Sequence, residues 1–153
     1  VEDGGQGLFH CNQITDGPVA GVHVLDGGEG VFDTNVLERN AEAQVLVRNG
    51  NPTFRKNVIA HGLGCAVVCT AGSQGLFTHN RIRDHALQAI RVTDSARPRF
   101  EKNEIAHAQR QAILITSAAS PNFFANNIRH SAGPAVHCTD AGAGFFSQQR
   151  DPR

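Results

Sequence analysis

Phenylalanine recurs along this chain every 22 or 23 residues, and each copy is followed three positions later by an asparagine. The two rows are the phenylalanines Phe9, Phe32, Phe54, Phe77, Phe100 and Phe123 and the asparagines Asn12, Asn35, Asn57, Asn80, Asn103 and Asn126. A period of roughly 20–50 residues that covers a chain is typical of solenoids, in which each repeat packs only against its neighbours. Most regularly spaced residues are therefore predicted to serve the stacking of repeats rather than chemistry.

Two further apolar sets follow each asparagine. The first is a single residue: Ile14, Leu37, Ile59, Ile82, Ile105 and Ile128. The second is an alternating pair: Val22/Val24, Val45/Val47, Val67/Cys69, Ile90/Val92, Ile113/Ile115 and Val136/Cys138. Alternation of period two in β-branched residues predicts strands. Three short strands per repeat, each about 4.8 Å from its equivalent in the next repeat, predict an all-β parallel β-solenoid of about six and a half coils.

The phenylalanine and asparagine rows are predicted to be structural. Asparagine tolerates the left-handed conformation that a sharp bend needs. Its amide can also donate to the coil on one side and accept from the coil on the other. In the seventh repeat Gln149 stands where asparagine is expected. We therefore expect one solenoid domain over residues 1–149 and a C-terminal tail over 150–153.

Composition narrows the classes of partner. Lys and Arg number 14, as do Asp and Glu, so the formal net charge is zero and electrostatic capture of nucleic acid or an anionic membrane is not expected. No apolar run approaches the roughly 18 residues of a membrane span. The chain contains no methionine and shows no signal peptide, which predicts a segment of a longer protein.

The four cysteines carry a prediction about location. Cys69 and Cys138 belong to the same inward position three coils apart, which is too far for a disulfide, and Cys11 and Cys65 have no partner. Free thiols favour a reducing compartment, so an intracellular location, cytoplasmic or nuclear, is expected over secretion. No metal site and no cofactor are predicted.

The motif Gly/Pro-x-Phe-x-x-Asn-x-Ile, followed by small-Val-x-Val, resembles the right-handed parallel β-helix repeat of the pectin-lyase-like superfamily. It most resembles the short-coil version in carbohydrate-binding/sugar-hydrolase (CASH) repeats and in the β-helix of F-box proteins. The resemblance extends from Gly7 to Gln149 and implies right-handed coiling. Because the matching positions are core and turn residues, it implies much less about function.

Binding residues are expected on the outward positions of the third strand of each repeat. The position between the paired valines forms a central row: His23, Leu46, Val68, Arg91, Leu114 and His137. The next outward position forms a threonine row: Leu25, Arg48, Thr70, Thr93, Thr116 and Thr139. Exposed Leu and Val at such positions predict a surface for a protein partner. The alternative is that these residues were selected only for β-propensity, or are covered by a segment outside the chain.

A bend row lies two residues past the isoleucine strand and contains Asp16, Arg39, His61, Asp84, His107 and His130. Adjacent coils would bring Asp84, His107 and His130 together, and a carboxylate beside an imidazole can support acid–base chemistry. These three residues are weak catalytic candidates. The alternative is an ordinary polar surface row, as expected of a turn.

The resemblance to enzymes of the superfamily does not extend to their catalytic motifs. Members that hydrolyse polygalacturonate carry Asp-Asp, Gly-His-Gly and Arg-Ile-Lys motifs, whereas this chain has Ala60-His61-Gly62, Arg81-Ile82-Arg83 and no adjacent Asp-Asp. The leading hypothesis is therefore a non-catalytic protein-recognition or scaffold module, as the similarity to F-box proteins implies for substrates of ubiquitylation. The alternatives are a carbohydrate-binding or polysaccharide-processing β-helix, and a structural solenoid that self-associates end to end.

Overall fold

A computed structural model describes residues 1–147 and consists of short strands joined by bends, with no helix among the described residues. The strands, in chain order, are β1 (Leu8–His10), β2 (Gln13–Thr15), β3 (Val22–Leu25), β4 (Val31–Asp33), β5 (Val36–Glu38), β6 (Val45–Arg48), β7 (Thr53–Arg55), β8 (Val58–Ala60), β9 (Val67–Thr70), β10 (Leu76–Thr78), β11 (Arg81–His85), β12 (Ile90–Val92), β13 (Arg99–Glu101), β14 (Glu104–Ala108), β15 (Ile113–Ile115), β16 (Asn122–Phe124), β17 (Asn127–Arg129), β18 (Val136–Cys138) and β19 (Phe145–Ser147). This pattern confirms the all-β solenoid with three strands per coil.

Every third strand joins the same parallel sheet. The phenylalanine sheet contains β1, β4, β7, β10, β13, β16 and β19; the isoleucine sheet contains β2, β5, β8, β11, β14 and β17; the valine sheet contains β3, β6, β9, β12, β15 and β18. Phe54 pairs with Phe32 and Phe77 although the turn over residues 48–52 is one residue shorter than its counterparts. The missing residue is therefore absorbed in a turn, and the register of all three sheets continues.

The interior is a set of stacked files. Phenylalanine rings stack nearly parallel from Phe9 to Phe146, with neighbouring centroids between 4.3 Å (Phe32 and Phe54) and 5.1 Å (Phe54 and Phe77). The isoleucine and valine files fill the rest of the core and are fully buried in the central coils. Because each coil contributes only one layer, its apolar residues are covered chiefly by the coils on either side.

The first six strands of the phenylalanine sheet are short because a residue with positive φ follows directly after each of them. At the bend after the phenylalanine sheet, these residues are Cys11, Thr34, Lys56, His79, Lys102 and Ala125, with φ between 52° and 58°. The prediction that asparagine itself takes this conformation is wrong, since the left-handed residue is the one immediately before each asparagine. The bend row also has positive φ in every coil, from 52° at His61 to 61° at Asp84.

The asparagines follow that bend and form a buried ladder. In Asn57, Nδ2 donates to Oδ1 of Asn80 (3.0 Å) and to the carbonyl of Phe32 (3.0 Å). Oδ1 of the same residue accepts from the backbone N–H of Asn35 (2.8 Å) and from its Nδ2 (3.1 Å). The side chain thus satisfies groups of the backbone that the bend removes from the sheets. Gln149, the predicted continuation of this row, lies outside the described residues.

All four cysteines are free thiols. Cys65 and Cys69 are buried, and burial raises the pKa of both thiols. Cys11 and Cys138 are exposed. Among residues 1–147, no helix has the length and hydropathy needed to cross a membrane.

Candidate functional site

The central row lies along the outer face of the valine sheet, where parallel pairing aligns its members. His23 pairs with Leu46, Leu46 with Val68, and Val68 with Arg91. The row continues from Arg91 to Leu114 and from there to His137. Since side chains of a strand alternate between its faces, the flanking valines and isoleucines point inward and leave this row outward.

Burial along the central row is graded rather than uniformly low. Leu46, Val68 and Leu114 are half-buried, whereas His23, Arg91 and His137 are exposed. The aliphatic members are therefore less exposed than the sequence predicted. The large apolar residues with the greatest exposure lie elsewhere, and are Leu8, Val19, Leu63, Leu87 and Phe145.

The hydroxyl groups of the threonine row are already engaged. Oγ1 of Thr70 donates to Oδ2 of Asp94 (2.6 Å), and Oγ1 of Thr93 donates to Oδ1 of the same carboxylate (3.2 Å). Oγ1 of Thr116 donates in the same way to Oδ2 of Asp140 (3.2 Å). The row therefore fixes the turn that follows the valine sheet, and its half-buried members contribute little free hydrogen-bonding capacity to the surface.

A chain of polar side chains borders the central row on its other side. Sγ of Cys65 lies 3.5 Å from Oε1 of Gln88, and Nε2 of Gln88 donates to Oε1 of Gln111 (3.1 Å). Nε2 of Gln111 lies 3.3 Å from Nδ1 of His137. Sequence reasoning missed this chain because the residue type changes from coil to coil, so no repeated letter marks the position. Its effect is to hold the edge of the outer face in a fixed arrangement.

The bend row divides into two groups. Near the N-terminus, Arg39 binds Asp16 in a bidentate pair, with Nε to Oδ1 at 2.9 Å and NH2 to Oδ2 at 3.0 Å. The hydrogen bond from Arg39 holds the pKa of Asp16 below its usual value. In the following coils Asp84 lies between two histidines, 3.7 Å from Nδ1 of His61 and 3.2 Å from Nδ1 of His107.

The second group brings the three predicted catalytic candidates together. His107 stacks on His130 with ring centroids 5.4 Å apart. Partial burial raises the pKa of Asp84, but the hydrogen bond and the charge of Arg83, 2.7 Å away, outweigh burial and keep the pKa low. Asp84 is therefore an anion that orients imidazoles. Among the described residues, no group of three or more His, Cys, Asp or Glu side chains is placed to hold a metal ion.

A shallow groove of about 360 Å³ follows the bend between the phenylalanine and isoleucine sheets. The cations that line it are Lys56, Arg81 and Lys102, and His79 lies between the two lysines. Arg81 is paired with Glu104 at 3.2 Å, whereas neither lysine has an ion-pair partner within residues 1–147. The lysines of this groove were not among the binding residues predicted from the sequence, although Lys56 and Lys102 share one bend position two coils apart and were a usable signal.

A family model described as a right handed beta helix region matches residues 1–149, which is nearly the whole chain. Neither the curated proteins nor the solved structures contain a significant match to this sequence.

Proposed function

The chain belongs to the right-handed β-helix family, and we propose that it is a non-catalytic recognition or scaffold module that binds a protein partner through the outer face of its valine sheet. The observation that carries this proposal is the central row, in which half-buried Val68 and Leu114 flank exposed Arg91 and half-buried Leu46 lies beyond Val68. Arginine is enriched in protein interfaces, and the neighbouring aliphatic side chains offer apolar area that a partner can cover.

Rigidity of the outer face supports the same proposal. Its strands are held by continuous parallel pairing on both sides, and the bordering Cys65, Gln88 and Gln111 are linked by hydrogen bonds. A preorganised surface loses little conformational entropy when a partner binds. Affinity can therefore come from modest contacts at Arg91 and the three aliphatic residues.

The similarity of the repeat to the β-helix of F-box proteins suggests a more specific role, in which the solenoid holds a substrate for ubiquitylation inside the cell. The four free thiols fit a reducing compartment. This part of the proposal requires an F-box in the same protein as the β-helix, and finding one would support it.

Replacing Leu46, Val68 and Leu114 by aspartate in one variant is expected to weaken partner binding at least about tenfold, because three charges would be desolvated in the interface. The measurement is quantitative pull-down with the unsubstituted chain and the triple variant as paired baits. Unchanged recovery of the proteins bound by the unsubstituted chain would contradict the choice of this face.

A matched control is available on the other two sheets. Val36 and Val58 on the isoleucine sheet and Leu76 on the phenylalanine sheet are also half-buried outward aliphatics. Aspartate at these three positions adds the same charge and a similar structural perturbation. The control variant is expected to bind partners as the unsubstituted chain does.

A carbohydrate-binding role is the alternative, and the groove at Lys56 and Lys102 favours it because two unpaired cations can attract an acidic polysaccharide. It predicts binding on a glycan array that is lost when both lysines are replaced by glutamate. Retained binding in that variant but loss in His107→Ala would move the site to Asp84, His107 and His130. Absence of any glycan binding would dismiss this alternative.

A further inference from the structure

The bend after the isoleucine sheet uses a buried residue to bind a carbonyl of the preceding coil. The residues directly after the bend row are Gly17, Asn40, Gly62, His85, Ala108 and Ser131. Nδ2 of Asn40 donates to the carbonyl of Ile14 (3.1 Å), and Nε2 of His85 lies 3.1 Å from the carbonyl of Ile59. These are equivalent contacts in different coils, so His85 occupies a structural position that asparagine fills elsewhere in the same chain.

The contact fixes the tautomer of His85. A carbonyl oxygen only accepts, so Nε2 must carry the hydrogen and Nδ1 of the neutral ring must be an acceptor. His85 is 0% exposed, and its Nδ1 has no hydrogen-bond partner among the described residues. A buried polar atom without a hydrogen-bond partner destabilises the folded state.

Among the described residues, Nδ1 of His85 has no hydrogen-bond partner that could accept from an N–H at this atom. A Cβ on Gly62 would lie 2.7 Å from Nδ1 of His85, so the ring edge packs directly against the backbone of this glycine. On the following coil, His85 pairs with apolar Ala108. A proton on Nδ1 would therefore be buried without compensation.

The charged and titratable groups near the bend lie on its outer side. They are Arg83 and Asp84 on the strand of His85, His61 on the preceding coil and His107 on the following coil. Asp84 favours protonation of His85 and His61 opposes it, but burial is the largest influence and lowers the pKa of His85 from 6.5 to about 4. The unfolded or opened segment has the ordinary value, so it binds more protons between pH 6.5 and 4.

We propose that His85 makes this bend a proton-sensitive latch, in which protonation of Nδ1 releases the segment 61–66 from the segment 84–89 and exposes Cys65. The two segments are joined by the backbone hydrogen bonds from Ala86 to the carbonyl of Gly62 (3.0 Å) and from Ala66 to the carbonyl of Gln88 (3.4 Å), and by the contact of Cys65 with Gln88. The closed conformation of the latch has its full stability above pH 6.5 and loses stability as the pH drops towards 4. Leu63 and Leu87 lie within the two segments and would move with them.

The latch can be tested through the reactivity of Cys65, in a chain whose exposed thiols are removed by Cys11→Ser and Cys138→Ser. A dipyridyl disulfide reagent modifies thiols at acid pH, and mass spectrometry separates Cys65 from Cys69. Rates are divided by those of the unfolded chain at the same pH. Linkage with the two pKa values predicts a rise of about 30-fold at Cys65 between pH 8 and pH 5, with Cys69 unchanged.

His85→Asn is the informative variant, because the chain itself uses asparagine at this position in Asn40. It is expected to keep the bond to the carbonyl of Ile59 and to abolish the rise in Cys65 reactivity. The exposed His107→Asn is the matched control and should retain the rise. An equal rise in His85→Asn, no rise in the original chain, or a parallel rise at Cys69 would each overturn the proposal.

A direct titration by NMR keeps the proposal falsifiable if His85→Asn fails to fold. Nitrogen chemical shifts are expected to show the Nε2–H tautomer and no protonation of His85 from pH 8 to pH 5.5. A midpoint of protonation for His85 near 6.5 in the folded chain would overturn it.

Discussion

Replacement of Phe77 by alanine is expected to lower the free energy of unfolding by about 4 kcal/mol. Phe77 is fully buried, and its ring lies between those of Phe54 and Phe100, with centroids 5.1 Å and 4.7 Å away. Alanine would leave a void of ring size inside a continuous stack. The adjacent rings belong to coils whose spacing is fixed by backbone pairing, so the rings cannot approach each other to fill the void.

Denaturant unfolding followed by circular dichroism measures this loss. Phe145→Ala is the matched control because Phe145 is 65% exposed while lying next to the stacked Phe146. The expected loss of unfolding free energy for Phe145→Ala is under about 1 kcal/mol, because most of this side chain is in contact with solvent and contributes little buried apolar area. A similar small loss for both variants would mean that the stack is not a principal source of stability.

Replacement of Asn80 by alanine is expected to cost about 3 kcal/mol, because it leaves buried hydrogen-bonding groups without partners. Oδ1 of Asn80 accepts from the backbone N–H and from Nδ2 of Asn57, both at 3.0 Å. Nδ2 of Asn80 donates to the carbonyl of Phe54 (3.0 Å) and to Oδ1 of Asn103 (3.0 Å). Alanine removes all four contacts, and Asn80 is only 2% exposed.

Asn12→Ala provides the comparison for the ladder. Asn12 donates to Oδ1 of Asn35 from its backbone N–H and its Nδ2, but its side chain is exposed in the first described coil. Solvent can replace the lost contact there, so the expected cost is below about 1 kcal/mol. Equal unfolding free energies for Asn12→Ala and Asn80→Ala would contradict the buried ladder as the source of the effect.

The sequence predicted the coil correctly because its strongest signals are contacts with a fixed period. Phe54, Ile59 and Val67 each meet the equivalent residue of the next coil, so a spacing in the sequence is also a contact in space. The position of the left-handed residue was predicted one place too late. Asparagine is the residue that tolerates the left-handed conformation most readily, but in the structure Lys56, His79 and their equivalents adopt it. Their own side chains do not favour positive φ, so the pairing of the strands on either side of the bend imposes it.

The candidate surfaces were predicted less completely. The sequence identified the members of the central row and the bend row, and in the structure Asp84 lies between His61 and His107. It did not reveal that the aliphatic members of the central row are half-buried, or that aspartates engage the threonines. Those facts depend on side chains in neighbouring positions, which vary from coil to coil.

The sequence by itself determined the repeat length, the three strands of each coil and the stacked core, because identical positions recur at one coil spacing and must face each other. Only the tertiary structure decided which side chains of different positions meet. His85 is fully buried, with Nε2 against the carbonyl of Ile59 and with Nδ1 unpartnered among the described residues. Gly62 and His85 are equivalent positions of adjacent coils, so the period places them next to each other. The period does not reveal that the bend turns the imidazole of His85 inward, because the residue type at this position changes from coil to coil.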